Sequence, residues 1–153
     1  MGKSRMLFFE DFAAGQSYRT LGITVTEDAV IRFAQEYDFQ PFHVDKVAAK
    51  DSIFGGLVAS GVQTIALTIR LCNQAQLFAG NAIAGIGFDE LRFVRPLRAG
   101  DTVRVVATIL ECRSSKTHPN GGIVKWDLRT LNQNDEEVLR ATLINIIKRR
   151  SAA

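Results

Sequence analysis

A chain of 153 residues suits one self-sustaining core, so residues 1–153 are read as a single domain. Apolar residues make up 46% and charged residues 23%, which excludes a disordered or fibrous chain. The formal charge of +3 comes from scattered basic residues with no aromatic-rich basic stripe, so no nucleic-acid partner is expected.

The first residues, Met1 to Met6, lack the apolar run of a signal peptide, and no segment is long and apolar enough to span a membrane. A cytoplasmic setting is expected. Residues 7–15 read as a lead-in closed by Gly15, and 16–25 as a first strand. Thr26 then has the chemistry of a helix N-cap, with Glu27 and Asp28 in the first turn, where the helix dipole favours acids. Ala29, Val30, Phe33, Ala34 and Tyr37 recur at helical spacing and deliver the chain to Asp38.

Asp38 and His43 are the first residues that point to chemistry. Five positions apart on one helix, they would face about 140° away from each other. Pro41 lies between them, lacks an N–H, and biases Gln40 away from the helical region. A turn there aims both side chains into one cleft, where a carboxylate and an imidazole are general acid/base equipment. Alone, Asp38 reads as a turn residue and His43 as a half-buried histidine. Asp45 is expected to cap one or two helical turns over 44–49, and 52–56 reads as a loop.

Between Ser52 and Phe88 the only charged residue is Arg70. Residues 61–79 are apolar on nearly every face, which predicts a buried helix of nearly 30 Å at about 1.5 Å per residue, stopped by Gly80. Cys72 falls in this run as core filler, and its distance from Cys112 fits neither a metal site nor a disulfide framework. Ser60 reads as the N-cap of the helix rather than a nucleophile. Gly61 opens the helix, where the first N–H groups have no intrahelical partner. It reads equally as an oxyanion donor or as a packing glycine.

Four strands follow, over 82–94, 101–113, 121–131 and 137–148, separated by turns at Pro96, Gly100 and Pro119-Asn120-Gly121-Gly122. Such short connections join antiparallel strands and cannot join parallel ones. The fold class is therefore α+β, a curved antiparallel sheet around one long central helix. His118 sits in the turn before Gly121 and is expected to be exposed. With no carboxylate or cysteine cluster beside either histidine, no metal is expected.

The pattern Asp-x-x-Pro-x-His-x-Asp over residues 38–45, then Phe54-Gly55-Gly56-Leu57-Val58-Ala59-Ser60-Gly61, resembles the MaoC-like dehydratases. The stretch Phe93 to Asp101 is similar to the same family. Two positions depart from it: Gln40 stands where the family usually has Asn, and Ser60 where it usually has His. The resemblance implies the hotdog fold and catalytic Asp38 and His43, with Gly61 offering its amide to a thioester oxygen. It implies an (R)-specific enoyl-CoA hydratase or 3-hydroxyacyl-CoA dehydratase. It also implies no cofactor, a substrate carried on CoA or acyl carrier protein, and a homodimer or higher homo-oligomer. Arg92, Arg95, Arg98, Arg113 and Lys116 are the cations available to CoA phosphates. Two other readings of the same fold are an acyl-CoA thioesterase and a non-catalytic acyl-CoA-binding protein. Residues 61–79 hold no Asp or Glu, which counts against a thioesterase with a carboxylate on its central helix.

Overall fold

The computed structural model describes residues 6–151. The lead-in forms a short 3-10 turn, Phe9–Asp11, and ends on Phe12, which is buried with its ring edge-on to Trp126 at 5.3 Å. The expected first strand is two: β1, Ser17–Arg19, and β2, Ile23–Thr24. Both pair antiparallel with β4, Thr102–Ser114. The pairs Arg19↔Val106 and Ile23↔Val103 enclose three residues on one side and two on the other. That extra residue is a bulge. Thr20 fills it, since its Oγ1 accepts the Val105 N–H at 2.9 Å in place of a backbone carbonyl.

Thr26 caps α1, Glu27–Tyr37, by accepting the Ala29 N–H at 3.2 Å. Two short helices follow, α2 (Pro41–Val44) and α3 (Lys46–Lys50). Asp45 caps α3 with one carboxylate oxygen on the N–H groups of Val47 and Ala48.

The central helix, α4, runs Gly61–Gln74. Fourteen residues give about 21 Å, shorter than the apolar run predicted. It stops at Gln76, whose φ is 60°. The N–H of Leu77 bonds Cys72 O at 3.1 Å and that of Gln76 bonds Asn73 O at 3.0 Å. These are the two bonds of a Schellman cap, with glutamine in the left-handed seat that glycine usually takes. Leu77 and Phe78 stay apolar because they are buried beneath the cap. Gly80, with φ 80°, shapes the turn into β3 instead of ending the helix.

α4 is also less enclosed than its composition predicts. Gln63, Thr64, Thr68, Leu71 and Cys72 are buried, while Val62 is 51% exposed and Ala66 is exposed too. Burial pushes the Cys72 thiol up to about 12, which makes it an inert core residue.

The remaining strands fall within a residue of their predicted limits: β3 (Ala82–Phe93), β4, β5 (Gly121–Leu131) and β6 (Glu137–Lys148). The sheet order is β1-β4-β5-β6-β3, antiparallel throughout. Trp126 of β5 is fully buried, and its indole N–H donates to Asn145 Oδ1 at 3.0 Å. The helix is tied to the sheet by a hydroxyl pair, Thr68 Oγ1 and Thr130 Oγ1, 2.6 Å apart. β3 lies at the sheet edge, and every residue in it except Leu91 is exposed.

Candidate active site

Asp38 and His43 come together as the spacing requires, by way of a helix boundary. Asp38 is the C-cap of α1, and its extended φ of −155° takes the chain out of the helix. Gln40 is extended as well, and Pro41 opens α2 at the first position, where a missing N–H costs nothing. His43 therefore rides on a different helix from Asp38. Its Nε2 lies 3.5 Å from Asp38 Oδ2. The imidazole side chain is 8% exposed, while the carboxylate side chain is 30% exposed.

His43 Nδ1 is 2.6 Å from the Val58 carbonyl oxygen. A carbonyl only accepts, so Nδ1 carries a proton, and Nε2 is the nitrogen turned toward Asp38. The segment bearing that carbonyl is held from both sides. Val58 N donates to Phe42 O at 3.1 Å, and Ala59 N to Leu97 O at 2.8 Å.

Ser60 does more than its sequence position announces. It caps α4 by accepting the Val62 N–H at 3.1 Å, and its hydroxyl donates to Asp38 Oδ2 at 2.6 Å. It is fully buried. One of the two residues that depart from the family pattern is thus the one that fixes the carboxylate. Nothing local links positions 38 and 60, and only the fold closes that distance. Ser60→Ala is expected to destabilise the protein by about 1 kcal/mol through the lost cap. The same change frees Asp38 to rotate, so activity should fall beyond what the stability loss explains. Thermal melts beside steady-state rates check this, and an unchanged kcat would remove Ser60 from the site.

His43 and Gly61 line a cavity of about 430 Å³, together with Val58, Ala59, Thr64 and Phe93 among others. Asp38 is not part of its lining and meets it through the imidazole. The Gly61 N–H has no acceptor among the described residues. Gly61 is also a packing glycine: a Cβ there would lie 2.5 Å from Phe93 Cζ. Both readings of Gly61 therefore remain in force. Phe93, from the end of β3, was visible in the sequence only as one aromatic of the Phe93–Asp101 stretch.

The five candidate cations separate. Arg95 lines the cavity. Arg98 donates to Phe54 O at 2.6 Å, which closes the 52–56 loop. Arg92 donates to its neighbour, the Leu91 carbonyl, and Arg113 pairs with Glu111 at 3.2 Å. Lys116 and His118 are exposed in the turn before β5. Among the described residues no group of three metal-ligating side chains gathers, and no helix is long and apolar enough to cross a membrane.

An antiparallel sheet packed on one central helix, with a carboxylate–imidazole pair at the helix mouth, defines a hotdog protein. Residues 11–125 match the family model described as MaoC like domain. The chain belongs to the MaoC-like dehydratase family, whose named relatives include hydratases and dehydratases. It is 40% identical to a MaoC-like dehydratase from Rhodospirillum rubrum of known crystal structure, with a TM-score of 0.89 over 95% of this chain and 99% of that one. Protein YdeM of Bacillus subtilis is 31% identical over 140 residues, 92% of this chain and 98% of that relative. The (R)-specific enoyl-CoA hydratase of Rhodospirillum rubrum is 29% identical over 108 residues, 67% of this chain and 69% of that one.

Proposed function

We propose that this chain, acting as one domain over residues 1–153, is an (R)-specific enoyl-CoA hydratase, equivalently a 3-hydroxyacyl-CoA dehydratase. It adds water reversibly to a trans-2-enoyl thioester carried on CoA or acyl carrier protein. The observation that carries the reading is the 3.5 Å approach of His43 Nε2 to Asp38 Oδ2 beside the cavity.

Two acceptors that face each other hold a water by its two O–H groups. Asp38 and His43 together orient that water toward C3 of the double bond. As its oxygen bonds to C3, one of its protons passes to the pair. The π electrons move toward the thioester, and the carbonyl oxygen gains negative charge as an enolate. The enolate then collapses, and C2 takes a proton from the pair. Water is added whole, with no net oxidation, so the chain's own groups suffice. The Gly61 N–H at the start of α4 donates to the enolate oxygen, aided by the helix dipole.

The test is loss of crotonyl-CoA absorbance. His43→Ala is expected to lower the rate by about 10²–10⁴, the usual worth of a positioned acid/base group. A wild-type protein that releases free CoA from saturated acyl-CoA and leaves the enoyl bond intact would point to a thioesterase instead.

The protein is also proposed to work as a homodimer. β3 is a long uncovered edge, which soluble proteins seldom leave bare. Its Ile83, Ile86, Phe88 and Phe93 are 38–56% exposed. Pairing with the same edge of a second copy through Ile83, Ile86 and Phe88 covers those three, while Phe93 and Val94 at the far end of the edge stay at the open cavity rim. Sedimentation equilibrium at micromolar concentration should give twice the chain mass of 16.9 kDa, and a monomer mass would refute the dimer.

A further inference from the structure

The cavity has a shut end and an open end. His43, Val58, Ala59, Thr64, Leu97 and Val138, which line it, are each at most 7% exposed. Phe93 and Val94, also in the lining, are 56% and 44% exposed, and Arg95 stands beside them. The mouth therefore carries one guanidinium, already paired with Glu136 at 3.7 Å, and the floor is largely apolar and buried.

Only Gly61 and Thr64 of α4 reach the cavity. The next residues on the same helix face, Thr68, Leu71 and Cys72, are 2%, 2% and 0% exposed and lie outside it. At Thr68 the seam between helix and sheet is closed by hydrogen bonds. Thr68 Oγ1 donates to Thr64 O at 2.8 Å and lies 2.6 Å from Thr130 Oγ1, with Thr130 fully buried. Parting that pair would strand a buried hydroxyl, which costs more than the bond itself contributes. Beyond it, Val105, Trp126 and Leu128 are fully buried, so none of them lines a continuing tunnel.

With the thioester oxygen at the Gly61 amide, an acyl chain running along α4 meets Thr64 after about 4.5 Å and Thr68 after about 10 Å. We propose that the enzyme takes short- to medium-chain enoyl thioesters, no longer than the about 10 Å that α4 offers before Thr68, and that the Thr68–Thr130 clasp is the stop that sets this limit. This rests on the hydratase reading for the site but is measurable without turnover.

The experiment pairs kinetics with binding. Rates on crotonyl-CoA and dodecenoyl-CoA are compared, and calorimetry compares butyryl-CoA with lauroyl-CoA below its micelle concentration. Wild type should prefer crotonyl-CoA in kcat/KM by about 10²-fold, the scale of a misplaced hydrocarbon contact. It should also bind butyryl-CoA more tightly than lauroyl-CoA. Thr68→Ala combined with Thr130→Ala removes both hydroxyls and leaves neither stranded, and should narrow the preference about tenfold. Lauroyl-CoA binding wild type as tightly as butyryl-CoA would overturn the proposal. So would a folded double variant with an unchanged ratio. If the variant fails to fold, the wild-type binding ratio decides. Butyryl preference without any hydration would overturn the hydratase reading and leave the length stop standing.

Discussion

Replacing Asp38 with Asn is expected to lower kcat for crotonyl-CoA hydration by about 10³, within the range for a positioned acid/base group. The substitution keeps the shape of the side chain. The Ser60 hydroxyl, 2.6 Å from Oδ2, still finds an acceptor in the amide oxygen. The carboxylate side chain is 30% exposed, so a neutral amide there costs little stability, and the melting temperature should stay within a few degrees. What changes is the chemistry. An amide takes no proton from water. The loss should therefore fall on kcat more than on KM. A variant within threefold of wild-type kcat would remove Asp38 from the mechanism.

Gly61→Ala is expected to cost about 10²-fold in kcat, close to the 3 kcal/mol that one oxyanion donor contributes. Two causes compete, and they are separable. The new methyl would lie 2.5 Å from Phe93 Cζ, so the ring must move. Phe93 is 56% exposed and can swing outward, so the fold should survive with a modest loss of stability. The same methyl hinders the thioester oxygen from reaching the amide. Combining Gly61→Ala with Phe93→Ala relieves the first cause and leaves the second. Rates that stay low in the double variant support the donor role. Rates restored to those of Phe93→Ala alone would reduce Gly61 to a seat for the ring.

Much of this was legible without coordinates because the signals are local. Thr26 and Asp45 cap the helices that follow them, since a cap reaches only two or three residues along the chain. The four long strands lie within a residue of the limits set by their turn residues and alternation. Pro41 announced the break that lets Asp38 and His43 converge. The end of α4 was misread for an equally local reason. Leu77 and Phe78 extend the apolar run, and hydrophobicity does not distinguish a buried turn from a buried helix. Gln76 in a left-handed seat gives no compositional sign of itself.

The sequence by itself determined the four long strands, α1 and the caps that start the helices, and it put a carboxylate and an imidazole on either side of a proline. Capping, periodicity and backbone restriction act between near neighbours, so a linear reading captures them. Only the tertiary structure decided that Ser60 holds Asp38, that Phe93 rests on Gly61, and that Thr68 meets Thr130. Those partners stand 22, 32 and 62 positions apart. Contacts across such separations follow from how the sheet closes on its helix, and no residue carries a mark of the distant side chain it will touch.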